Sequence, residues 1–265
     1  SLVIAIVFLA SFAWWENRSP NPMLPLSFFK NRQFSGANVA LTISSFAMMG
    51  SMYLFSQYFQ SVEGFSPLLS ALCMFPLTPV VFLSTMGSVK VNRKKGTRYT
   101  MTFGLLLTGL ALYLFSRVAG LHTNYGLILL VLFILGVGIG FTMSPATSAI
   151  MNSLPPNRAG IGSAMNDTTR QLGGALGIAM LGAVMNSLYR AGVTSLKSAN
   201  GISGLLYEGI IGSVHSALTV AGDLPGAISS LIASVSRQAF GNVMKAYFLL
   251  ASVAMVIAAT AVMRF

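Results

Sequence analysis

Charge is scarce in this sequence, and negative charge is the scarcer kind. Only 8% of the 265 residues are Asp, Glu, Lys or Arg, whereas soluble domains carry about 25%. Five acids face sixteen basic residues, which gives a net charge of +11, and 54% of the chain is hydrophobic. This composition is typical of an integral membrane protein, in which basic residues gather in cytoplasmic loops. The positive charge therefore indicates topology and does not require a nucleic-acid partner.

Metal ligands and catalytic nucleophiles are also few. Cys73 is the only cysteine and lies in an apolar run, so no internal disulfide can form. His122 and His215 lie far apart and have no Cys or carboxylate near them at ligand spacing. No Walker A sequence, H-E-x-x-H or G-x-S-x-G is present. We expect neither an enzyme nor an ATP-driven pump, and no cofactor or metal.

Six stretches are long and apolar enough to cross a bilayer, which takes about 20 residues. They cover residues 36–59, 67–89, 99–117, 124–150, 160–189 and 242–264. A further apolar stretch, 1–15, has no basic leader and no cleavage site, so it is predicted to be the end of a truncated membrane helix in a fragment of a longer protein. Residues 16–35 are predicted to be a cytoplasmic linker and 36–265 a six-helix bundle, in an all-α integral membrane protein.

The distribution of basic residues predicts the orientation of the bundle. One side carries ten, namely Arg18, Lys30, Arg32, Lys90, Arg93, Lys94, Lys95, Arg98, Arg158 and Arg264, and the other carries five, namely Arg117, Arg190, Lys197, Arg237 and Lys245. The richer side is predicted to be cytoplasmic, together with the C-terminus. Residues 190–241 then form an outer connection. It is predicted to be an amphipathic hairpin on the membrane surface, with a re-entrant segment as the alternative.

One predicted span contains both an acid and a base. Asp167 and Arg170 lie about 10 Å and 15 Å along the helix from its cytoplasmic end, and Asp167 is the only acid in any of the six spans. Each charge costs about 2.5–3.5 kcal/mol near the bilayer centre, so both are expected to face a bundle interior or a watery cavity. Two interpretations stay open: a self-neutralising structural pair, or a carboxylate that gains and loses a proton as its exposure alternates.

Glycines mark two of the predicted helices as surfaces of close approach. The candidate packing and gating positions are Gly173, Gly174 and Gly177 in the helix of Asp167, and Gly136, Gly140 and Pro145 in the helix before it. A G-x-x-x-G pair lets two helices approach closely. Static packing explains these positions as well as sliding or rocking between helices does.

A third candidate surface lies on the first complete span. Aromatic, Met and amide side chains spaced three or four residues apart share one helix face there. A face that carries Gln is not expected to meet lipid, so it suits either ordinary interior packing or a cavity for bulky apolar or cationic guests. The candidate cavity residues are Phe46, Met49, Tyr53, Gln57 and Gln60, with Asn166 from the later span.

The segment "GSVKVNRKKGTRY" joins two predicted spans on the cytoplasmic side and carries five basic residues among nine. It can serve simply as an orientation signal. Glycine at each end and basic residues between them also suit a gate loop that links neighbouring helices.

Three longer stretches resemble a known family. "ENRSPNPMLPLSFFKNRQFSGAN", "SQYFQSVEGFSPLLSAL" and "LPPNRAGIGSAMNDTTRQLGGALGIAMLGAV", followed by the long outer loop, are similar to the C-terminal half of the major facilitator superfamily's fourteen-helix drug:proton antiporters (EmrB/QacA type). The resemblance implies that residues 1–15 end helix 8 and that the six spans are helices 9 to 14. Signature positions of helix 13 fall on Arg170, Gln171, Gly173 and Gly177, and the coupling carboxylate on Asp167.

The resemblance extends to two shorter elements. Tyr58 and Gln60 match the aromatic and the amide at the outer end of helix 9. The basic segment resembles a degenerate copy of the superfamily's cytoplasmic G-x-x-x-D-R-x-G-x-R element, matched at Gly87, Arg93, Gly96 and Arg98. Asn92 stands where that element has Asp, and one extra residue precedes Gly96, so the charge relay of the element is not expected in this half.

The resemblance implies half of a proton-coupled efflux transporter that exports hydrophobic or cationic small molecules by alternating access. Its implied partners are protons, the lipid bilayer and the missing N-terminal half, and its implied location is the bacterial inner membrane. An exporter of one metabolite or antibiotic is the alternative within the class. Alternatives outside the transporter class are a membrane scaffold or sensor, a lipid scramblase and a membrane-embedded enzyme.

Overall fold

The structure is a computed structural model that describes residues 2–18, 26–118, 124–198, 202, 204–224 and 226–264. The described residues form helices joined by short turns, with no strand among them. The α-helices are α1 (Leu2–Arg18), α2 (Arg32–Gln57), α3 (Pro67–Met74), α4 (Leu77–Lys95), α5 (Thr97–Val118), α6 (Tyr125–Asn152), α7 (Ala159–Val184), α8 (Arg190–Val193), α9 (Gly204–Gly212), α10 (Val214–Gly222) and α11 (Gly226–Arg264).

Six helical segments of the described chain are long and apolar enough to cross a membrane. They are Arg32–Val62, Pro67–Lys95, Thr97–Val118, Tyr125–Asn152, Ala159–Lys197 and Gly226–Arg264. The prediction of an all-α protein with six whole spans is therefore confirmed. The second of these spans consists of α3 and α4, separated by a turn at Phe75 and Pro76, because Pro76 has no N–H to continue the helical hydrogen bonding.

Helix α2 begins at Arg32, four residues before the predicted start, because Asn31 caps it. The Asn31 side-chain oxygen accepts hydrogen bonds from the backbone N–H groups of Gln33 at 2.9 Å and Phe34 at 3.4 Å. An N-cap of this kind satisfies donors that a helix otherwise leaves unpaired. The linker predicted over 16–35 is shortened at both ends, since α1 runs to Arg18; its residues 19–25 lie outside the described part.

The basic segment between α4 and α5 is almost wholly helical, which corrects the prediction of a loop there. Helix α4 continues through Arg93 to Lys95, and α5 begins at Thr97. Lys and Arg are good helix formers and are favourable at a helix C-terminus, where they face the negative end of the dipole. Gly96 alone makes the joint, with φ of 84°, a backbone conformation that only glycine adopts readily.

The last span also begins earlier than predicted. Helix α11 starts at Gly226 and not at 242, and it runs unbroken for 39 residues. Its first turns are amphipathic, bury Ile232, Ser236 and Phe240, and pack against α8, α10 and the π-helical segment Met185–Tyr189 that continues α7. Over the stretch 190–241 that was predicted to be a hairpin, the described residues include the short helices α9 and α10, the end of the span Ala159–Lys197 and the first turns of α11.

Each of the six spans packs against particular neighbouring helices. Helix α2 packs on α7 and α11, α4 packs on α6, and α5 packs on both α6 and α11. Phe55, Phe115 and Phe248 join α2, α5 and α11, with ring centroids 4.4 Å, 4.7 Å and 5.5 Å apart. Aromatic pairs of this geometry add about 0.5–1.5 kcal/mol each beyond the area they bury.

Candidate transport groove

The helix that carries Asp167 is pressed directly against the backbone of α2. A Cβ added at Gly173 would overlap the carbonyl oxygen of Thr42, and one added at Gly177 would overlap that of Phe46. Gly174 lies under the side chain of Met49, whose Cγ is 2.9 Å from the position a Cβ would occupy. The contact is possible only because the G-x-x-x-G pair has no side chains.

Hydrogen bonds join the same helices. The Thr169 hydroxyl donates to the Asn38 side-chain oxygen at 2.7 Å in a buried contact between α7 and α2. The Tyr247 hydroxyl of α11 donates to the Phe46 carbonyl at 3.1 Å and fills the space beside Gly50. Three helices thus meet around one stretch of α2 backbone, and this seam positions α7.

Helix α6 is built on glycines as well, facing α4 on one side and α5 on the other. At Gly136 a Cβ would meet the Val80 side chain at 2.8 Å, and at Gly140 it would meet the Thr85 amide nitrogen at 2.8 Å. On the α5 side, Gly104 faces Thr142 and Gly138 faces Thr108. Pro145 is buried one turn beyond Gly140. All six candidate packing positions are therefore buried, and each of the five glycines among them lies against another helix.

Asp167 and Arg170 lie on the exposed flank of α7. Within the described part of the chain, neither side chain takes part in an ion pair or hydrogen bond, with the other or with any other residue. The self-neutralising pair is therefore not formed in this structure. A charge left uncompensated in hydrocarbon costs several kcal/mol, so these two groups need water or a further partner.

An open groove runs beside Arg170 between α2, α4, α6 and α7, with a volume of about 410 Å³. Its walls are apolar apart from Arg170 and two threonines; the lining residues are Met48, Met52, Leu77, Thr78, Val81, Phe82, Thr85, Ile139, Met143 and Arg170. Small-molecule pockets commonly enclose about 300–1,000 Å³ and are mostly apolar with a few polar groups. Flexible methionines let such a wall adapt to guests of different shape.

A small inner chamber of about 20 Å³ adjoins the groove and shares Met48, Met52, Leu77 and Ile139 with it. The hydroxyls of Ser44 and Ser51 line this chamber, and they are buried without a hydrogen-bond partner among the described residues. The volume is enough for about one water molecule, the usual partner of such a hydroxyl in a protein interior. Polar groups thus lie behind the apolar wall.

The face of α2 predicted from the sequence lies beside the groove and does not line it. Phe46 is half-buried, with its ring stacked 6.4 Å from that of Tyr247. Met49 and Tyr53 are exposed at 41% and 46%, and the Gln57 amide donates to the Tyr53 hydroxyl at 3.4 Å. Of the remaining predicted cavity residues, Gln60 is exposed and its amide donates to the Ser56 hydroxyl at 2.8 Å. The Asn166 side-chain oxygen accepts from the Thr147 hydroxyl of α6 at 3.1 Å.

Of the predicted site residues, only Arg170 lines the groove. Met48 and Met52, one helical turn apart on α2, were not singled out from the sequence, nor were Phe82 and Met143. The signal was present: Met48 and Met52 have the i, i+4 spacing of one helix face. It went unused because Met49 and Tyr53, on the neighbouring face, form an equally regular stripe.

The four residues matched to the cytoplasmic element lie along the α4–α5 junction. Gly87 lies inside α4, with the Phe141 ring 4.0 Å from the position of an added Cβ. Arg93 is exposed at the end of α4, Gly96 makes the turn, and Arg98 lies in the first turn of α5. They are therefore spread over two helices and are not gathered in a loop.

Comparison with known proteins identifies the family. The model of the Major Facilitator Superfamily matches residues 1–178. The chain is 31% identical to the multidrug resistance protein Stp of Mycobacterium tuberculosis over 68% of its own length and 33% of that protein. It is 27% identical to the multidrug efflux pump LfrA of Mycolicibacterium smegmatis over 91% of its length and 47% of that protein.

A third relative is the tetracenomycin C resistance and export protein of Streptomyces glaucescens, 29% identical over 70% of this chain and 34% of that protein. The chain therefore spans between one third and one half of the length of these relatives. The family match covers more than half of the chain, two of these relatives are named as an efflux pump and an export protein, and the described residues form an all-α bundle with six apolar spans. The chain belongs to the Major Facilitator Superfamily.

Proposed function

We propose that this chain is the C-terminal half of a proton-coupled multidrug exporter that works by alternating access. The observation that carries the proposal is the apolar, methionine-rich groove with Arg170 in its wall and Asp167 three residues away on the same helix. Superfamily transporters bind substrate at the interface of two halves. The groove is open, as expected of a substrate site that a second half completes.

The groove suits hydrophobic and cationic small molecules. Phe82 and three methionines offer polarisable contacts to guests of varied shape. Asp167 is the only acid in the six spans, so it is the one carboxylate there that can neutralise a cation or bind a proton. In this mechanism Asp167 binds a proton from outside and releases it inside, and a cationic substrate competes for the same charge.

Arg170 takes the second role in the proposed cycle. It lies at i+3 from Asp167, which is within reach on one helix face, although the two are unpaired here. When Asp167 loses its proton, the guanidinium stabilises the anion, and when Asp167 is neutral, Arg170 is free to face the groove. The pair thus holds the helix in one of two states without being permanently joined.

An exporter of one metabolite or antibiotic is the second candidate. It is favoured by the relatives named for resistance to a single antibiotic, tetracenomycin C in one case and methylenomycin A in another. The same groove and carboxylate serve both candidates. A range of exported compounds supports the first, and export of one compound supports the second.

Efflux of ethidium, a hydrophobic cation, tests the proposal. The assay uses cells that express the two-half transporter, that is, the full-length protein in which this chain is the C-terminal half. We expect Asp167→Asn to reduce efflux to the level of cells without the transporter, because the side chain keeps its size but cannot titrate. Asp223→Asn is the matched control, since Asp223 follows α10 outside the six spans, and it should export normally. Wild-type efflux by Asp167→Asn, with protein present in the membrane, contradicts the proposal.

We further propose that the bundle lies in the bacterial inner membrane with the α4–α5 junction and the C-terminus in the cytoplasm, supported by the ten-to-five distribution of basic residues. Cysteine labelling in intact cells tests this orientation. Lys94→Cys in a Cys73→Ser background should not react with an impermeant maleimide added outside the cell, because the proposed orientation places position 94 on the cytoplasmic side. Labelling of Lys94→Cys from outside the cell contradicts this orientation and shows the opposite one.

A further inference from the structure

A second cavity lies at the end of the bundle where α2 and α5 begin, well away from the groove. It has a volume of about 280 Å³ and is bounded by α2, α5, α6 and α11. Its rim is polar and its wall is apolar; the lining residues are Arg32, Gln33, Thr97 and Arg98 at the rim and Gly36, Ala37, Met101, Ala149 and Val262 along the wall.

The rim carries only positive charge. Neither the Arg32 nor the Arg98 guanidinium takes part in an ion pair or a hydrogen bond with any residue that the structure describes, and no acid is among the lining residues. Lys30 and the basic end of α4, Arg93 to Lys95, are close in sequence but do not line the cavity. Two guanidinium groups in one cavity present planar donor forks, which suit the oxygens of a phosphate.

The first turn of α5 supports the same ligand. The backbone N–H groups of Thr97 and Arg98 start a helix and have no carbonyl one turn earlier in that helix to bond, and they lie at the positive end of its dipole. The first turn of α2 contributes less, because Asn31 already accepts from Gln33 and Phe34. The donors available for an anion are therefore the two guanidinium groups and the start of α5.

The apolar wall distinguishes a lipid from a soluble anion. Ala37, Met101 and Ala149 are buried; Ala37 and Met101 lie about one helical turn into α2 and α5, and Ala149 lies about one turn before the end of α6. A free phosphate uses only the rim, whereas a phospholipid places its phosphodiester at the rim and its glycerol and first acyl carbons along the wall. Basic cavities between membrane helices on the cytoplasmic side bind anionic headgroups in this way.

We propose that this cavity binds the phosphodiester of an anionic phospholipid, with Arg32 and Arg98 as its two ligands. The site is separate from the transport groove and does not depend on the proposed export activity. Its lipid is held where α2, α5, α6 and α11 meet, so binding ties together four helices of the bundle.

Native mass spectrometry of the 265-residue chain in detergent tests the proposal, with dioleoylphosphatidylglycerol as the anionic lipid. We expect one phosphatidylglycerol to bind tightly, and Arg32→Gln with Arg98→Gln to weaken that binding by about tenfold or more. The matched control is Arg93→Gln with Lys95→Gln, which removes the same charge from exposed positions at the same end of the bundle. It should leave the tight site unchanged.

Two further arms identify the source of the phosphate. Dioleoylphosphatidylcholine should bind much more weakly than phosphatidylglycerol. Inorganic phosphate, even in large molar excess over the lipid, should fail to displace the bound phosphatidylglycerol. Because Arg32 and Arg98 are exposed, their replacement should leave the helical circular dichroism unchanged, which separates loss of binding from loss of fold. Equal weakening by the control pair shows a general basic surface, and displacement by inorganic phosphate shows a free-anion site; either result overturns the proposal.

Discussion

The α2–α7 seam and the α4–α6 seam are both built on glycines four residues apart, and they close differently. In the first, Gly173 and Gly177 each press on a carbonyl oxygen of α2, and a buried hydrogen bond from Thr169 to Asn38 crosses the interface. Backbone cannot move aside as a side chain can. The α2–α7 seam is therefore fixed at successive turns.

The α4–α6 seam has one such point. Gly140 approaches the Thr85 amide nitrogen, but Gly136 meets only side-chain atoms of Val80 and Leu77, and among the described residues no hydrogen bond joins α4 to α6. Fewer close backbone contacts therefore hold α4 against α6 than hold α7 against α2, so the α4–α6 seam is the more adjustable of the two.

The difference assigns different parts to the two seams. The fixed seam carries Asp167 and Arg170, so the charges keep their position relative to α2. The adjustable seam supplies half of the groove wall, since five of the lining residues belong to α4. We expect changes in groove width to come from α4 pivoting near Gly140, and not from α7 sliding on α2.

The largest expected effect comes from Gly177→Leu in the fixed seam. A side chain there must displace the Phe46 carbonyl, and overpacking of this kind costs about 1–3 kcal/mol or more. We expect loss of ethidium efflux while the protein still reaches the membrane, and a lower unfolding temperature for the purified chain. Gly182→Leu is the control on the same helix, because nothing lies within 4 Å of a Cβ there. Full efflux by Gly177→Leu would show that α2 and α7 are not tightly packed at this position.

A smaller effect is expected from Gly136→Ala in the adjustable seam, since the obstacle is the Val80 side chain at 2.8 Å. The double variant Gly136→Ala with Val80→Ala should recover most of the lost unfolding temperature, because the second change removes the clash. Gly177→Ala has no such rescue by truncation of a side chain. A Gly136→Ala variant that Val80→Ala does not rescue shows that α4 is held by its backbone, which removes the contrast between the seams.

The sequence predicted the spans well because their signal is strong and local. Long apolar runs broken by Pro, Gly and charge need no knowledge of tertiary contacts. The boundaries were wrong where a cap or an amphipathic extension decided them: Asn31 starts α2 early, and the burial of Ile232 and Phe240 carries α11 back to Gly226. Both depend on contacts that hydropathy does not register.

The candidate site was predictable only in part. The expense of charge in a bilayer singled out Asp167 and Arg170, and spacing singled out Gly173 and Gly177, before any packing was known. The choice between two neighbouring faces of α2 could not be made, because Met48 and Met49 are equally apolar and only the position of α4 shows which one meets the groove. Their roles in transport stay predictions.

Proton release on substrate addition tests the central claim most directly, that Asp167 is the coupling carboxylate. The measurement uses the two-half transporter in weakly buffered detergent with ethidium as substrate. We expect release from the wild type and none from Asp167→Asn. Arg170→Ala should lower the protein level, and Asp167→Asn with Arg170→Gln should restore that level without restoring release. A double variant that exports ethidium and releases protons like the wild type contradicts the account and removes Asp167 from the coupling mechanism.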